Sequence, residues 1–458
     1  MHLHIIGICG TFMGGVARIA KELGHTVSGS DANTYPPMST QLESLGVALF
    51  EGYREQNIPP TADIVVVGNT ISRGNPELEA VLDKGLPYTS GAQWLSENVL
   101  NSKWVLAVSG THGKTTTASM LAWVLEDCGY TPGFLIGGVP ANFNESARLG
   151  KSDFFVIEAD EYDTAFCDKR SKFVHYRPKT LVINNLEFDH ADIFDTIDDI
   201  KKQFNHLLKT VPSIGLVIHN ESEEHVNAVL EMGCWSEQQN FGRNQDCSWR
   251  CAPITADCHE FEVAHEERTS QVSWDLIGQH NMLNAVAAIA AAHHVGVQLN
   301  DATNALARFS SVKRRLEIIY DESDLVIYDD FAHHPTAIAG TLNGLRNKVG
   351  NEHIVAVLEP RSNTMKRGVH KDLLAKALKD ADETYIYADK NVQWDINHLQ
   401  SKAISTYSNV SSLLNDLLTQ AKVKAEAGVP LHILIMSNGG FHGLHMNLVE
   451  SLKNRKFT

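Results

Sequence analysis

A short turn between a predicted strand and a predicted helix contains the residues of a phosphate-binding loop. The turn reads Gly110-Thr-His-Gly113-Lys114-Thr115 and follows the apolar stretch WVLAVSG. Backbone N–H groups at a helix N-terminus attract phosphate oxygens, a lysine adds a positive charge, and a threonine hydroxyl can bind Mg²⁺. The usual spacing has glycine where this chain has Val108, so we expect a shorter variant of the loop.

Acidic residues and one histidine follow two other predicted strands. The stretch FFVIEADEYD places Glu158 at the end of its strand, and NNLEFDHADIF places Asp189 and His190 at the end of another. Ligands of open parallel sheets collect at the carboxyl ends of the strands. Oxygen ligands with one imidazole suit Mg²⁺, or alternatively Mn²⁺, that bridges phosphates. We therefore predict a metal site formed by Thr115, Glu158 and His190 beside the phosphate loop.

A second glycine-rich turn, GICGTFMGG, lies near the start of the chain, and Asp31 follows it at the end of a predicted strand. The pattern suggests a dinucleotide site, but Gly7, Gly10 and Gly14 are spaced G-x2-G-x3-G, with Cys9 where the fingerprint has glycine. A UDP pyrophosphate needs the same close backbone approach and the same helix N-terminus. The residues alone leave NAD and UDP equally open.

The elements that position these groups alternate between short apolar strands and helices, which predicts parallel sheets and an α/β fold. A chain of 458 residues is too long for one ordinary core. We expect three tandem domains: a Rossmann-like domain over residues 1–103, a P-loop ATPase-like domain over 104–311, and a Rossmann-like domain over 312–458.

The composition excludes several partner classes. A net charge of −16 argues against nucleic acid and anionic membranes as main partners, and no apolar run approaches the length of a membrane span. The first residues enter a strand pattern without a basic segment or cleavage site, which predicts no signal peptide. Seven cysteines, an odd number, indicate reduced thiols and a cytoplasmic protein. The spacing of Cys234, Cys247, Cys251, Cys258 and His259 fits no common zinc pattern, so we predict buried thiols there.

Six stretches, in order, resemble the Mur ligases, which are ATP-dependent amide-forming enzymes of peptidoglycan synthesis. They are GTHGKTTT, EADE, NNLEFDH, HNMLNA, RRLE and DDFAHHPT. The resemblance covers essentially the whole chain and implies that the first turn binds UDP-N-acetylmuramate rather than NAD. It also implies ATP and Mg²⁺ as cofactors and a monomer or weak homo-oligomer.

The resemblance implies a role for each matching position. ATP would be bound by Gly110, Thr111, Gly113, Lys114, Thr115, Thr116, Asn281, Arg315 and Asp330. Within this set, Asn281 would contact the adenine, Arg315 the γ-phosphate and Asp330 the ribose. The UDP-sugar would be bound by Gly10, Thr11, Phe12, Met13, Gly14, Asp31, Asn69, Thr70 and His112. The catalytic residues would be Lys114, Glu158, His190, Arg315 and His333.

Three further stretches point to one branch of the family. GICGTFMGGVARIAKELGHTVSGSDANTYPPMST, LEPRSNTMK and MSNGGFHG resemble the branch that adds the tripeptide L-Ala-γ-D-Glu-meso-diaminopimelate in cell-wall recycling. The alternative is the branch that adds L-alanine. Two positions depart from expectation. Phe204 stands where several family members have a carbamylated lysine, with Lys201 and Lys202 out of register, so we predict no carbamate. His442 stands where we expect glycine.

The chemistry of the resemblance requires an acyl phosphate, an incoming amine and a base. We expect His333 to take the amine proton, with His334 as the alternative. The tripeptide carries several carboxylates, so we expect Arg361 to bind one of them in bidentate fashion, with Asn363 nearby and Lys366 and Arg367 adding charge. Residues 308–315 are the expected hinge for closure of the third domain. The rival functions are an NAD-dependent oxidoreductase and a non-catalytic nucleotide-binding protein.

Overall fold

The structure is a computed structural model that describes residues 1–34, 38–322 and 324–454. Residues 35–37, which belong to one of the stretches that point to the tripeptide-adding branch, lie outside the described residues. Among the described helices, none is both long and apolar enough to cross a bilayer. The described residues form three main sheets, one for each expected domain, and the predicted three-part α/β architecture is confirmed.

The first sheet is parallel and has the strand order β3-β2-β1-β4-β5, which is the Rossmann order without its sixth strand. Its strands are β1 (His2–Ile6), β2 (Thr26–Asp31), β3 (Ala48–Glu51), β4 (Ile64–Val67) and β5 (Tyr88–Ser90). Its helices are α1 (Thr11–Glu22), α2 (Met38–Ser44), α3 (Pro76–Asp83) and α4 (Gly91–Asn98). Asn75 begins α3 by accepting hydrogen bonds from two backbone N–H groups, and Pro76 follows it at the first helical position.

The central sheet contains ten of the described strands, in the order β17-β16-β15-β14-β13-β12-β6-β9-β7-β8. The strands of this part of the chain are β6 (Trp104–Ser109), β7 (Gly133–Leu135), β8 (Ala147–Arg148), β9 (Phe154–Ala159), β10 (Asp163–Ala165), β11 (Asp168–Ser171), β12 (Thr180–Ile183), β13 (Leu216–Asn220), β14 (Glu237–Gly242), β15 (Trp249–Pro253), β16 (Glu260–His265) and β17 (Arg268–Ser273). Strands β10 and β11 form a separate antiparallel hairpin. The helices are α5 (Lys114–Asp127), α6 (Ile197–Leu208), α7 (Glu224–Glu231), α8 (Gln279–His294) and α9 (Leu299–Leu306).

Strands β12, β6 and β9 lie side by side and parallel in the middle of this sheet. Their carboxyl ends therefore meet at one edge, and each is followed by a stretch that the sequence singled out. Buried apolar residues on both faces of these strands fix them between helices. The cysteines Cys247, Cys251 and Cys258 are free and buried, as predicted, whereas Cys234, also expected to be buried, is only partly buried.

The third sheet has the order β18-β19-β23-β20-β21-β22 and is parallel except at the β18 edge. Its strands are β18 (Glu317–Glu322), β19 (Leu325–Asp330), β20 (His353–Leu358), β21 (Glu383–Tyr387), β22 (Ile404–Tyr407) and β23 (Leu431–Met436). Its helices are α10 (Pro335–Val349), α11 (Asn363–Lys366), α12 (Lys371–Ala377), α13 (Val410–Glu426) and α14 (Leu444–Asn454). His442, where we expected glycine, has φ 49°, a left-handed conformation that glycine adopts more easily.

The first and second domains share buried apolar contacts. One core cluster joins Met13 and Val16 of α1 to Leu135 of β7 and Ala147 of β8. A Cβ atom added to Gly15 would lie 3.1 Å from the Cβ of Ala147, so α1 approaches the central sheet closely. The first glycine turn is thereby held beside the central domain.

Candidate active site

The phosphate loop leaves β6 and enters α5 through two glycines. Gly110 has φ 131° and Gly113 has φ 77°, both outside the range that other residues adopt readily. A Cβ atom on Gly113 would lie 2.5 Å from Oδ1 of Asn284, so a larger residue does not fit. The Lys114 ammonium folds back and donates a hydrogen bond to the carbonyl oxygen of Gly110 at 2.6 Å. The turn therefore places its backbone N–H groups and the Lys114 ammonium close together, as a phosphate-binding loop requires.

Lys114 belongs to a row of buried charges. Its Nζ lies 3.2 Å from Oε2 of Glu161, and Oε1 of Glu161 lies 3.0 Å from Nε2 of His190. Burial opposes the charge on Lys114, but Glu161, Asp160 and Glu158 outweigh it and raise the pKa of Lys114. Burial likewise opposes ionisation of Glu161, but Lys114 and a hydrogen bond from His190 lower the pKa of Glu161 to about 2.

The sequence analysis did not identify Glu161, although it is the third acid of the EADE stretch. We singled out only the acid at the end of β9. Because β9 ends at Ala159, the chain turns there and brings Glu161 back over the phosphate loop. Glu161 also raises the pKa of His190 against the opposing effect of burial.

The predicted metal ligands lie on two sides of Lys114. The Thr115 hydroxyl donates to Oε1 of Glu158 at 3.0 Å, and Oε2 of Glu158 accepts the Gly137 N–H at 2.7 Å. Burial first, and then repulsion from Asp160, raise the pKa of Glu158. A buried carboxylate under repulsion is stabilised by a cation, and hydroxyl, carboxylate and imidazole ligands suit Mg²⁺ or Mn²⁺. Thr115 and Glu158 are in contact and have the chemistry for such a metal, whereas His190 is paired with Glu161, so the three-residue metal site stays a prediction.

The first glycine turn is closed by Asp31. Its Oδ2 accepts the Cys9 N–H at 2.9 Å, which ties the turn after β1 to the end of β2. Gly7 has φ 83°, and a Cβ atom on Gly14 would lie 2.4 Å from Sδ of Met38. The other expected contacts of the UDP-sugar are arranged around this turn: Gly10 caps α1, Thr11 begins it, Phe12 is half-buried, Met13 is buried, and Asn69 and Thr70 follow β4.

Lys172 lies between the two glycine turns. The sequence analysis did not identify it as a site residue. Its ammonium lies 2.8 Å from Oδ2 of Asp160 and 4.7 Å from the ring centroid of Phe12, and its side chain is only 8% exposed. The β10–β11 hairpin, which ends one residue before Lys172, delivers it to this position. A buried cation between the expected sugar site and the phosphate loop is placed to bind an anionic substrate group.

The residues expected around the nucleotide base and ribose lie where the second and third domains join. Asp330 is buried and accepts the N–H groups of Leu316 and Ala332, each at 2.7 Å. Burial raises the pKa of Asp330 against the opposing effect of Arg315. Asn281 donates to the carbonyl oxygen of Ile277 at 2.8 Å. The roles of these residues toward ATP stay predictions.

The segment 187–192, which follows β12, contacts the third domain along its length. Oδ1 of Asp189 accepts the Thr364 hydroxyl at 2.7 Å, and Oδ2 of Asp192 accepts the Asn363 amide at 3.0 Å. We expected Asn363 to bind the tripeptide, and here its amide bonds the central domain instead. These contacts describe a closed arrangement of the second and third domains.

A cavity of about 250 Å³ lies at this junction, lined by side chains that include His190, His333 and Arg361. His333 Nδ1 lies 3.0 Å from the carbonyl oxygen of Phe331, so its N–H points there and leaves Nε2 as a free acceptor. Burial lowers the pKa of His333 to about 4. Arg361 is half-exposed, with Nη1 3.8 Å from Oε1 of Glu359. A neutral imidazole and a cation therefore face the same space.

The structure also places His112, Phe204, Lys201 and Lys202. The ring of His112, expected toward the UDP-sugar, lies 3.0 Å from Glu187 and 3.1 Å from His334 at the junction with the third domain. Phe204 is buried in the core, and the ammonium groups of Lys201 and Lys202 pair with aspartates on their own helix.

Comparison with known proteins covers all three parts of the chain. Three family models match: the Mur ligase family catalytic domain over residues 2–103, the Mur ligase middle domain over 108–292, and the Mur ligase glutamate ligase domain over 314–439.

Individual relatives match over most or all of the length. The chain is 52% identical over 459 residues to the UDP-N-acetylmuramate–L-alanyl-gamma-D-glutamyl-meso-2,6-diaminoheptandioate ligase of Escherichia coli K12, covering 99% of each protein. It is 31% identical to the UDP-N-acetylmuramate–L-alanine ligase of Syntrophomonas wolfei, over 83% of this chain and 80% of that protein. A crystal structure of a murein peptide ligase from Psychrobacter arcticus 273-4 superposes with a TM-score of 0.76 at 44% identity, covering 100% of both chains. The chain belongs to the Mur ligase family.

Proposed function

We propose that this chain is an ATP-dependent ligase that joins L-Ala-γ-D-Glu-meso-diaminopimelate to the lactyl carboxylate of UDP-N-acetylmuramate. The observation that carries the proposal is the row from Lys114 through Glu161 to His190 at one sheet edge, because His190 also lines a cavity with His333 and Arg361. The full-length similarity to a ligase named for this reaction supports the same substrates. The product would serve cell-wall recycling in the cytoplasm, where ATP and UDP-sugars are available.

The first step activates the carboxylate. A lactyl oxygen attacks the γ-phosphorus of ATP, the bond to the β-phosphate oxygen breaks, and ADP leaves an acyl phosphate behind. Two anions must approach each other, so the site has to neutralise charge. Lys114 and Arg315 would bind the γ-phosphate, and Lys172 would bind the lactyl carboxylate beside the first glycine turn. A Mg²⁺ held by Thr115, Glu158 and His190 would add positive charge at the transferred phosphoryl group.

The second step forms the amide. The amine of the tripeptide's L-alanine attacks the acyl carbon, and phosphate leaves with the former carboxylate oxygen. The amine must lose a proton, and Nε2 of His333 offers a free lone pair in the cavity. His334 is the second candidate, but Nδ1 of its ring already lies among three polar groups.

Binding of the tripeptide depends on the third domain. Arg361 is the cation that lines the cavity, and a guanidinium can bind a carboxylate through two hydrogen bonds. Arg367 donates instead to the carbonyl oxygen of Ala191 across the domain junction. Residues 308–315 would be the hinge, and the left-handed φ values of Ser311 and Arg314 show that the chain bends sharply there.

The acceptor decides between the two branches of the family. Release of ADP from ATP and UDP-N-acetylmuramate should be measured with the tripeptide and with L-alanine in parallel. We expect a higher kcat/KM for the tripeptide, and an activity at least about 100-fold lower after Lys114→Met. A preference for L-alanine would assign the chain to the alanine-adding branch. No ADP release with either acceptor would refute the ligase proposal.

A further inference from the structure

Three polar side chains converge at the domain junction, beside the phosphate loop. Nε2 of His112 lies 3.0 Å from Oε2 of Glu187 and 3.1 Å from Nδ1 of His334. The third side of the triangle, from Nδ1 of His334 to Oε2 of Glu187, measures 3.2 Å. Two imidazole nitrogens and one carboxylate oxygen therefore face a common point.

The three groups come from three elements in two domains. His112 belongs to the phosphate loop, and Glu187 follows β12 in the same domain. His334 belongs to the third domain, where it caps the start of α10. The group is complete only when these two domains are closed on each other.

The hydrogen bonds of His334 show which of its ring nitrogens faces the cluster as an acceptor. Nδ1 of His334 accepts the Thr336 N–H at 3.3 Å, which places the ring's own proton on Nε2. Nε2 of His334 is buried and has no hydrogen-bond partner among the described residues. Nδ1 of His334 and Oε2 of Glu187 are thus two acceptors that face each other at 3.2 Å, and a metal ion bound to Nδ1 would displace the long hydrogen bond from Thr336.

Two of the three groups, His334 and Glu187, favour the charge states that a metal ion requires. Burial, followed by the neighbouring His112, lowers the pKa of His334 to about 3, so its ring is neutral. Burial opposes ionisation of Glu187, but His112 and His334 lower the pKa of Glu187 to about 2. The Thr336 hydroxyl lies 2.9 Å from Oε1 and 2.8 Å from Oε2 of Glu187, and so orients the carboxylate.

The distances are close to those of a zinc site. Bonds of about 2.0–2.2 Å in a tetrahedral arrangement place neighbouring ligand atoms about 3.4 Å apart, so a few tenths of an ångström of widening suffice. Two histidines and one glutamate also form a known class of zinc site. Imidazole ligands favour Zn²⁺, Ni²⁺ or Co²⁺, whereas the oxygen-rich set at Glu158 favours Mg²⁺.

We propose that His112, Glu187 and His334 bind one divalent transition cation of the zinc class, which ties the third domain to the phosphate loop in the closed arrangement. The fourth position would be open to water or to a substrate group. The proposal concerns binding and domain closure and does not depend on which peptide the enzyme uses.

Titration of the full-length protein with Co²⁺ in excess Mg²⁺ tests this site, because Mg²⁺ masks the oxygen-rich ligands. We expect one Co²⁺ per chain, a visible spectrum typical of four- or five-coordinate cobalt, and displacement by Zn²⁺. His334→Asn and Glu187→Gln should weaken binding at least about 100-fold, since loss of even an outer-shell partner of a metal ligand costs about 10- to 100-fold.

His370→Asn is the matched control. The ring of His370 lies 4.5 Å from that of His334, but its Nε2 lies 3.2 Å from the carbonyl oxygen of Phe188. This variant should bind Co²⁺ as the wild type does. No cobalt spectrum in the wild type, or an unchanged affinity in His334→Asn, would overturn the proposal. If His334→Asn does not fold, X-ray absorption of the Zn²⁺-loaded wild type decides: two imidazoles support the site, and thiolate ligands contradict it.

Discussion

At the scale of single residues, the candidate site is built from buried charges that neutralise one another. Glu161 lies between Lys114 and His190, so each cation has the same carboxylate as a partner. A triphosphate would take over the partnership with Lys114, and the predicted metal would take over that with His190, whose ring has to lose its proton to bind it. A buried ion pair contributes little net stability, but loss of one member leaves an uncompensated charge. The buried charges of Lys114, Glu161 and His190 therefore keep the phosphate loop ready to bind an anionic ligand.

Glu161→Gln tests this role through the pH dependence of stability. The pKa of Glu161 is lowered from 4.5 to about 2 in the folded protein, so its contribution is present above pH 4.5 and is lost as the pH falls towards 2. We expect the variant to be less stable at neutral pH by on the order of 3 kcal/mol. The glutamate loses its stabilising effect between about pH 5 and about pH 3, and the glutamine variant has no such effect to lose. Its urea midpoint should therefore fall less steeply than that of the wild type over this pH range.

The exposed Glu267, in the turn between β16 and β17, provides the control for this measurement. Glu267→Gln should reproduce the wild-type midpoints at each pH. Equal acid sensitivity of Glu161→Gln and the wild type would show that the carboxylate is not held ionised by Lys114 and His190.

Lys172→Met should weaken binding of the UDP-sugar without affecting ATP. A hydrogen bond to a charged group contributes about 1.5–3 kcal/mol, so KM for UDP-N-acetylmuramate should rise about tenfold or more. Lys169→Met is the matched control, because Lys169 lies on the same hairpin but is 69% exposed and pairs with Asp163. If both variants bind the UDP-sugar equally well, Lys172 does not contact it.

Arg361→Ala should raise KM for the tripeptide by about tenfold or more, because a bidentate ion pair to a carboxylate is lost. KM for ATP should not change. Lys371→Ala, which removes an exposed cation at the start of α12, should leave both constants unaltered. An unchanged KM for the tripeptide in Arg361→Ala would remove this residue from the acceptor site.

At the scale of elements, the strand-turn-helix units were predictable and the connections between them were not. The phosphate loop follows from local sequence, because an apolar strand, two glycines and Lys114 are adjacent. Lys172 and Glu161 could not be found this way, since they reach the site only through the fold of the β10–β11 hairpin and the turn after β9. Their functional position depends on tertiary contacts that no local pattern encodes.

Helix α10 is an element in which local propensity and tertiary packing disagree. It contains Gly340 and Gly344, which lower helix propensity. A Cβ atom on Gly344 would lie 3.0 Å from Cα of Gly278, so the glycine permits close contact with the loop that begins α8. The same glycine thus lowers the helix propensity of α10 and permits the packing that holds α10 in place.

The segment 187–192 acts as the docking surface for the third domain, and Thr364→Val tests it. The variant removes the hydroxyl that donates to the buried carboxylate of Asp189. We expect the closed arrangement to lose about 1.5–3 kcal/mol, the value of a hydrogen bond to a charged group. Small-angle scattering should show a larger radius of gyration for the variant than for the wild type.

The same scattering experiment includes an ATP analogue together with UDP-N-acetylmuramate. The wild type should become more compact on binding both ligands, and Thr364→Val should respond less. Thr419→Val is the control, because the exposed Thr419 hydroxyl bonds only within α13. Identical scattering of all three proteins, with and without ligands, would contradict closure through this segment.

At the scale of the whole molecule, the proposed function requires three domains to bring three substrates to one sheet edge. The first domain packs its glycine turn against the central domain, and the third domain closes over the segment 187–192. The two glycine-rich turns thus have separate tasks: the first would hold the UDP-sugar, and the second would hold the triphosphate that activates it. Lys172 lies between the two.

The central claim is that the lactyl carboxylate is phosphorylated before the amine attacks. Its most direct test uses UDP-N-acetylmuramate labelled with ¹⁸O in the lactyl carboxylate, together with ATP and the tripeptide, and mass analysis of the released phosphate. The mechanism predicts that each phosphate carries one ¹⁸O atom, because the carboxylate oxygen leaves with phosphorus. Unlabelled phosphate, formed at the same rate as the amide product, would contradict it.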